Sequence, residues 1–149
     1  MAKKRINVYV DGFNLYHSAL QKTYPECRWL NLFELSKRLI NPKTEEIQTV
    51  YITLLADAVM DKFDTALILS GDSDLAPVSG KLRLLCPGKK IGIAIPKGQL
   101  AVHLKQHADF HKTTQAKDFK HSLLPEQVTY NGNIKTAPAG WLPKPKSTL

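Results

Sequence analysis

The chain is poor in cysteine: two among 149 residues, Cys27 and Cys86, with no CxxC pair and no histidine partner at metal-ligand spacing. Two isolated thiols build no disulfide framework, so the composition predicts reduced cysteines in a cytosolic protein. Long apolar runs are lacking too. Nothing approaches the roughly 20 residues needed to cross a bilayer, and the opening MAKKRINVYVDG has no signal-peptide core. The expectation is a soluble, cytoplasmic protein with no membrane partner. Acidic residues are scarce against basic ones, 13 Asp and Glu facing 21 Lys and Arg, a formal net charge of +8. Such a balance favours a polyanionic partner, because lysines and arginines gain affinity by releasing phosphate counterions. The excess is uneven: from Lys112 to Leu149 there are six lysines and two acids. The sequence has no internal repeat and no low-complexity run.

What is present reads as one α/β domain. INVYV, Ile6 to Val10, is too continuously apolar for a half-exposed strand and suits a buried strand of a parallel sheet. A short helix fits Phe13 to about Lys22, with Phe13, Tyr16 and Leu20 on one face. NLFELSKRLI is a stronger helix, with Asn31 as cap, Glu34 three residues later, and Leu32, Leu35 and Leu39 sharing a face. Asn41-Pro42 stops it. A second strand follows over Glu46 to Ile52, then a helix with Leu55, Val59 and Phe63 inward. TALILS is a third buried strand; Leu75, Val78, Leu82 and Leu85 recur at helical spacing. IGIAI, Ile91 to Ile95, is a fourth strand, Leu100, Leu104 and Ala108 mark another helix, and DFHKT adds a short edge strand. Strands alternating with helices predict a three-layer α/β/α fold around a mostly parallel central sheet. The domain is expected over residues 1–121. Residues 122–149 form a C-terminal extension, with a hairpin at NGN, a Pro-rich end, and Trp141 as an anchor on the core.

In an open parallel sheet, ligands gather beyond the carboxyl ends of the strands. Asp11 follows the first strand directly, in VYVDGFNLYH. Ser70, Gly71, Asp72, Ser73 and Asp74 follow the third strand in the same sense. If these strands are neighbours, three carboxylates and the Asn14 amide meet on one rim. Hard oxygen ligands of this kind suit Mg²⁺ or Mn²⁺, which would relieve their mutual repulsion. Each motif has an ordinary alternative: a strand followed by DG is commonly a turn, and GDSD caps helices. Their joint placement after two buried strands carries the argument. His103 and His107 are spaced i, i+4 but lack a third ligand for zinc.

VYVDGFNLYH together with FDTALILSGDSDLAP resembles the NYN domain family, a branch of the PIN-like nucleases, and SLLPEQVTYNGNIKTAPAGW resembles the C-terminal extension of its bacterial members. The resemblance implies a PIN-like fold and a Mg²⁺- or Mn²⁺-dependent ribonuclease. Position by position, it matches Asp11 and Asn14 to the motif after the first strand, and Asp72 and Asp74 to the acidic pair. It further implies Asp11 and Asp74 as metal ligands and Asp72 as a ligand or as the group orienting the attacking water. Asn14 would then hold a phosphate oxygen or a metal-bound water. Ser70 and Ser73 would bond the substrate backbone, while Lys112 and Lys120 track phosphates without reading sequence. PIN-like domains often pair, which extends the expectation to a homodimer. The chain departs from the family after the second strand, where the usual long stretch and its threonine-aspartate pair have no counterpart.

Three functions compete on this reading. The first is a metal-dependent endoribonuclease acting on single-stranded RNA. The second is a catalytically impaired RNA-binding or scaffold protein of nuclease ancestry. The third is a phosphatase, disfavoured because Asp11-Gly12-Phe13 lacks the DxDx nucleophile pattern.

Overall fold

The computed structural model describes residues 2–51 and 61–143. The expected helical positions Leu55 and Val59 lie outside the described residues. Five strands form one all-parallel sheet: β1 (Lys4–Val10), β2 (Glu45–Tyr51), β3 (Thr65–Leu69), β4 (Lys90–Ile95) and β5 (Phe110–Thr113). Their spatial order is β2-β1-β3-β4-β5, with the short DFHKT strand at one edge as expected.

Period-two alternation along the strands separates two cores. Ile6, Val8 and Val10 of β1 and Leu67 and Leu69 of β3 face one layer. Ala66 and Ile68 of β3, with Ile91, Ile93 and Ile95 of β4, face the other. The first layer receives α1 (Gly12–Leu15), α2 (Leu32–Leu39) and α5 (Ala116–Lys120) through Leu15, Leu35, Leu39 and Phe119. The second receives α3 (Ala76–Leu85) and α4 (Val102–Gln106) through Leu82 and Leu104, with Phe63 buried beside them. A three-layer α/β/α architecture results. Within it, Gly92 is required by a close approach: a Cβ there would lie 2.2 Å from the ring of Phe110 on the neighbouring strand.

Helix α2 starts as its sequence dictates, the Asn31 carboxamide accepting from the backbone N–H groups of Phe33 and Glu34 at 3.0 and 3.1 Å. Four inward assignments fail. Phe13 is 78% exposed. Helix α1 begins at the sheet rim, and Leu15, Ala19 and Leu20 take its buried face; Phe13, two residues before Leu15, points away. Leu32, in the first turn of α2, is more exposed than Leu35 and Leu39 below it. Leu85 lies on the last turn of α3, overhanging the core filled by Leu82. Leu100 is exposed because Ala101 takes a left-handed φ of 45°, so α4 begins only at Val102 and Leu100 stays outside it.

Helix α5, Ala116–Lys120, has no sequence expectation behind it; a capping box between Gln115 and Asp118 supports it. The expected hairpin is formed by β6 (Gln127–Tyr130) and β7 (Asn133–Thr136). Asn131 and Gly132 have φ of 49° and 75°, the paired positive values of a type I′ turn. Trp141 does anchor the extension. Its ring lies 6.2 Å from that of Trp29, whose indole N–H donates to the Pro125 carbonyl at 2.8 Å. Residues 122–125 are already joined to the domain, through a bridge between Leu30 and Leu123 and a 2.7 Å bond from Asn31 N–H to the Ser122 carbonyl.

Candidate functional site

With strand order 2-1-3-4-5, the connection from β1 leaves toward one edge of the sheet and the chain from β3 onward builds toward the other. The crevice between β1 and β3 is therefore the topological switch point, where open α/β sheets bind ligands. Asp11 leaves β1 there and Ser70 leaves β3 there, side by side.

The two loops are bonded to each other. Ser70, fully buried, donates its hydroxyl to Asp11 Oδ2 at 3.0 Å and accepts the backbone N–H of Asp72 at 3.0 Å. The other Asp11 oxygen caps α1 by accepting the Asn14 N–H at 2.9 Å. The Asn14 side-chain oxygen accepts the Gly71 N–H at 3.0 Å. Since that oxygen must face Gly71, the Asn14 NH₂ is free to donate elsewhere. Asp72 Oδ1 accepts the Asp74 N–H at 3.0 Å, starting the short 3₁₀ turn Ser73–Leu75. Asp11 and Asp72 are half-buried and Asp74 is exposed.

Beyond these loops lies an open cleft of about 420 Å³, lined by Asn14, His17, Lys22, Asp72, Lys97 and Gln99 among others. Two of these, Lys22 and Lys97, are lysines outside both motifs and were not among the expected site residues. Lys97 and Gln99 come from the loop after β4, and they join the site because β4 is the next strand beyond β3. Gln99 lies hard against residue 71: a Cβ there would fall 1.3 Å from its Oε1 and displace the amide. The helical segment at the back of the cleft widens into a π-helix over Tyr16–Leu20, with Gln21 N–H reaching the Tyr16 carbonyl at 2.7 Å. Such bulges are frequent at functional sites.

The structure thus brings Asp11, Asn14, Ser70 and Asp72 together, with Ser73 and Asp74 on the adjoining turn. Lys112 lies elsewhere. Its Nζ donates to the Leu39 carbonyl at 2.8 Å and lines a separate recess of about 180 Å³ near the amino ends of β1 and β3. Lys120 ends α5, where its charge draws the Cys27 thiol down. Burial nevertheless pushes that thiol up to about 11, which leaves it an inert core residue. Both cysteines are free. Among the described residues, no three His, Cys, Asp or Glu side chains form a metal-holding group, and no helix is long and apolar enough to cross a membrane.

No protein-family model matches the chain, and no curated protein does. A similar solved structure is that of a protein of unknown function from Vibrio parahaemolyticus. It is 16% identical, with a TM-score of 0.57, and the match covers 82% of this chain and 97% of that one. The likeness is one of fold.

Proposed function

We propose that the switch-point cleft is the active site of a metal-dependent ribonuclease, of the NYN kind that its two motifs resemble. The single observation carrying this reading is the hydrogen-bonded junction of Asp11, Ser70, Asn14 and Asp72 at the carboxyl ends of β1 and β3. A divalent cation fits the donor set in one particular mode. Mg²⁺ keeps several waters and takes only one or two carboxylates plus substrate phosphate, so a three-carboxylate cage is not needed. Asp11 and Asp72 would hold it: each Asp11 oxygen accepts one bond and keeps a lone pair, and Asp72 accepts on Oδ1 alone. Bound there, the cation would supply an activated water and charge stabilisation at the leaving oxygen.

The chain's own residues do the rest. Ser70 fixes the Asp11 carboxylate and the start of the SGDSD loop with one hydroxyl. The Asn14 NH₂ can donate to a phosphate oxygen, oriented by the bond its carbonyl accepts from Gly71. Lys22 and Lys97 supply positive charge along the cleft, the role first expected of Lys112 and Lys120. These contacts go to phosphate and sugar, so they position RNA without specifying its sequence.

A second reading, RNA binding without cleavage, is favoured by one observation: both Asp11 oxygens are engaged in holding the loops together. One experiment separates the two. A labelled single-stranded RNA is incubated with Mn²⁺, Mg²⁺ or EDTA, beside the variant Asp72→Asn/Asp74→Asn. Products should require metal and fall by about 100-fold or more in the variant, since even groups behind metal ligands cost 10–100-fold. Cleavage that persists in EDTA or in the variant overturns the assignment. Bound but intact RNA establishes the second reading.

A further inference from the structure

We infer that Phe13 and His17 form a stacking platform for an unpaired base, which makes single-stranded RNA the form of nucleic acid this cleft accepts. The inference rests on the RNA reading above and extends it from phosphate to base. Phe13 is a large apolar side chain left 78% exposed in the wall of an otherwise polar cleft. It sits one helical turn before His17, and the two rings are 4.3 Å apart at an interplanar angle of 57°. His17 meets Tyr16 edge-on at 5.2 Å, and the Arg28 guanidinium lies 5.9 Å from the Tyr16 ring centre. His17 Nδ1 is 2.7 Å from Gln21 Oε1, which holds the imidazole in place. A row of aromatic groups thus runs along the helix that begins at the Asp11 cap.

An exposed phenylalanine in an apolar patch would point to a protein partner. Here its cleft neighbours are Lys22, Lys97, Asn14 and Ser18, the surroundings of a ligand with a flat apolar face and a charged backbone. Nucleic-acid single strands have that combination, with stacking on an aromatic face and phosphates on lysines. A duplex keeps its base faces covered and cannot use the platform.

The test is binding of a fluorescent single-stranded RNA, measured by anisotropy in EDTA and again in Ca²⁺, for the wild type, Phe13→Ala and Phe13→Trp. The same proteins are titrated with inorganic polyphosphate and with duplex RNA. Phe13→Ala should weaken single-strand binding by about 5- to 150-fold, the loss typical of one stacked base. Its salt dependence and its polyphosphate affinity should stay unchanged, because no charge is removed. Phe13→Trp should restore the affinity, and its indole emission should be quenched by RNA. Phe13 is exposed, so neither substitution threatens the fold. Wild-type affinity in Phe13→Ala, or an equal loss for duplex and polyphosphate, overturns the platform while leaving RNA binding standing. Failure of the wild type to bind any RNA overturns both readings together.

Discussion

Replacing Ser70 by alanine tests whether one hydroxyl joins the two loops of the site. Its Oγ donates to a carboxylate and accepts a backbone N–H, both at 3.0 Å, in a position with no solvent exposure. A hydrogen bond to a charged group contributes about 1.5–3 kcal/mol and a neutral one about 0.5–1.5 kcal/mol. Asp11 and Asp72 are half-buried, so water can replace part of what is lost and the lower end of each range applies. Ser70→Ala should therefore cost about 2 kcal/mol. For a chain of this size that lowers Tm by roughly 7 °C. Urea unfolding followed by tryptophan emission gives the value directly, with an unchanged m value showing that the unfolded state is not what moved. Asp11→Ala and the double variant complete a thermodynamic cycle. The Asp11–Ser70 pair should show a coupling of about 1 kcal/mol or more, as contacting residues do. A loss below about 0.5 kcal/mol for Ser70→Ala, or strict additivity in the cycle, would refute the bridging role.

Two further predictions concern the frame around the site. Hydrogen bonds from the Arg5 guanidinium, and then from its backbone N–H, hold the Asp64 carboxyl below its usual range. The resulting stability is present above the unfolded carboxylate value of about 3.9 and fades as pH falls through the lower folded one. Thermal scans of Asp64→Asn should thus lie below wild type at pH 7 and converge with it below about pH 3; parallel curves down to acid would show that Arg5 does not act through the charge. Trp141→Ala removes the ring against Trp29 and should speed tryptic cutting at Lys135 by about fivefold, the effect of roughly 1 kcal/mol of aromatic contact. An unchanged rate would mean that the extension is held by residues 122–125 alone.

The buried strands were legible because parallel strands covered on both faces must be continuously apolar, as VYV, TALIL and IGIAI are. The type I′ turn at Asn131-Gly132 and the Asn31 cap were legible because their residue types are required locally. Helix faces were less so. Periodicity places Phe13 and Leu100 with the apolar set, but where a helix starts decides whether its first turn lies over the sheet or beyond it. The Asp11 and SGDSD loops could be paired on the assumption that their strands adjoin. Lys97 and Gln99 could not be added, because their place depends on β4 lying next to β3, nor could Lys22, because which side of its helical segment faces the cleft is decided by packing. Lys112 shows the opposite difficulty: one lysine in a basic sequence looks like another until the Leu39 carbonyl claims it.

The position of β1 has a kinetic consequence. Both of its neighbours, β2 and β3, come later in the chain, so the first strand is completed only after Leu69 has been made. The bond between Asp11 and Ser70 closes a separation of 59 residues. Long-range parallel pairing of this kind is slow to form, since loop-closure entropy is lost before the contacts reward it. The cleft takes shape only once β1 and β3 have paired and the loop after β4 has come up beside them. A ligand that recognises the cleft therefore acts on the folding equilibrium itself: at a hundred times its Kd it would stabilise the protein by about 2.7 kcal/mol. Occupancy of the cleft and pairing of its two central strands are thus thermodynamically linked.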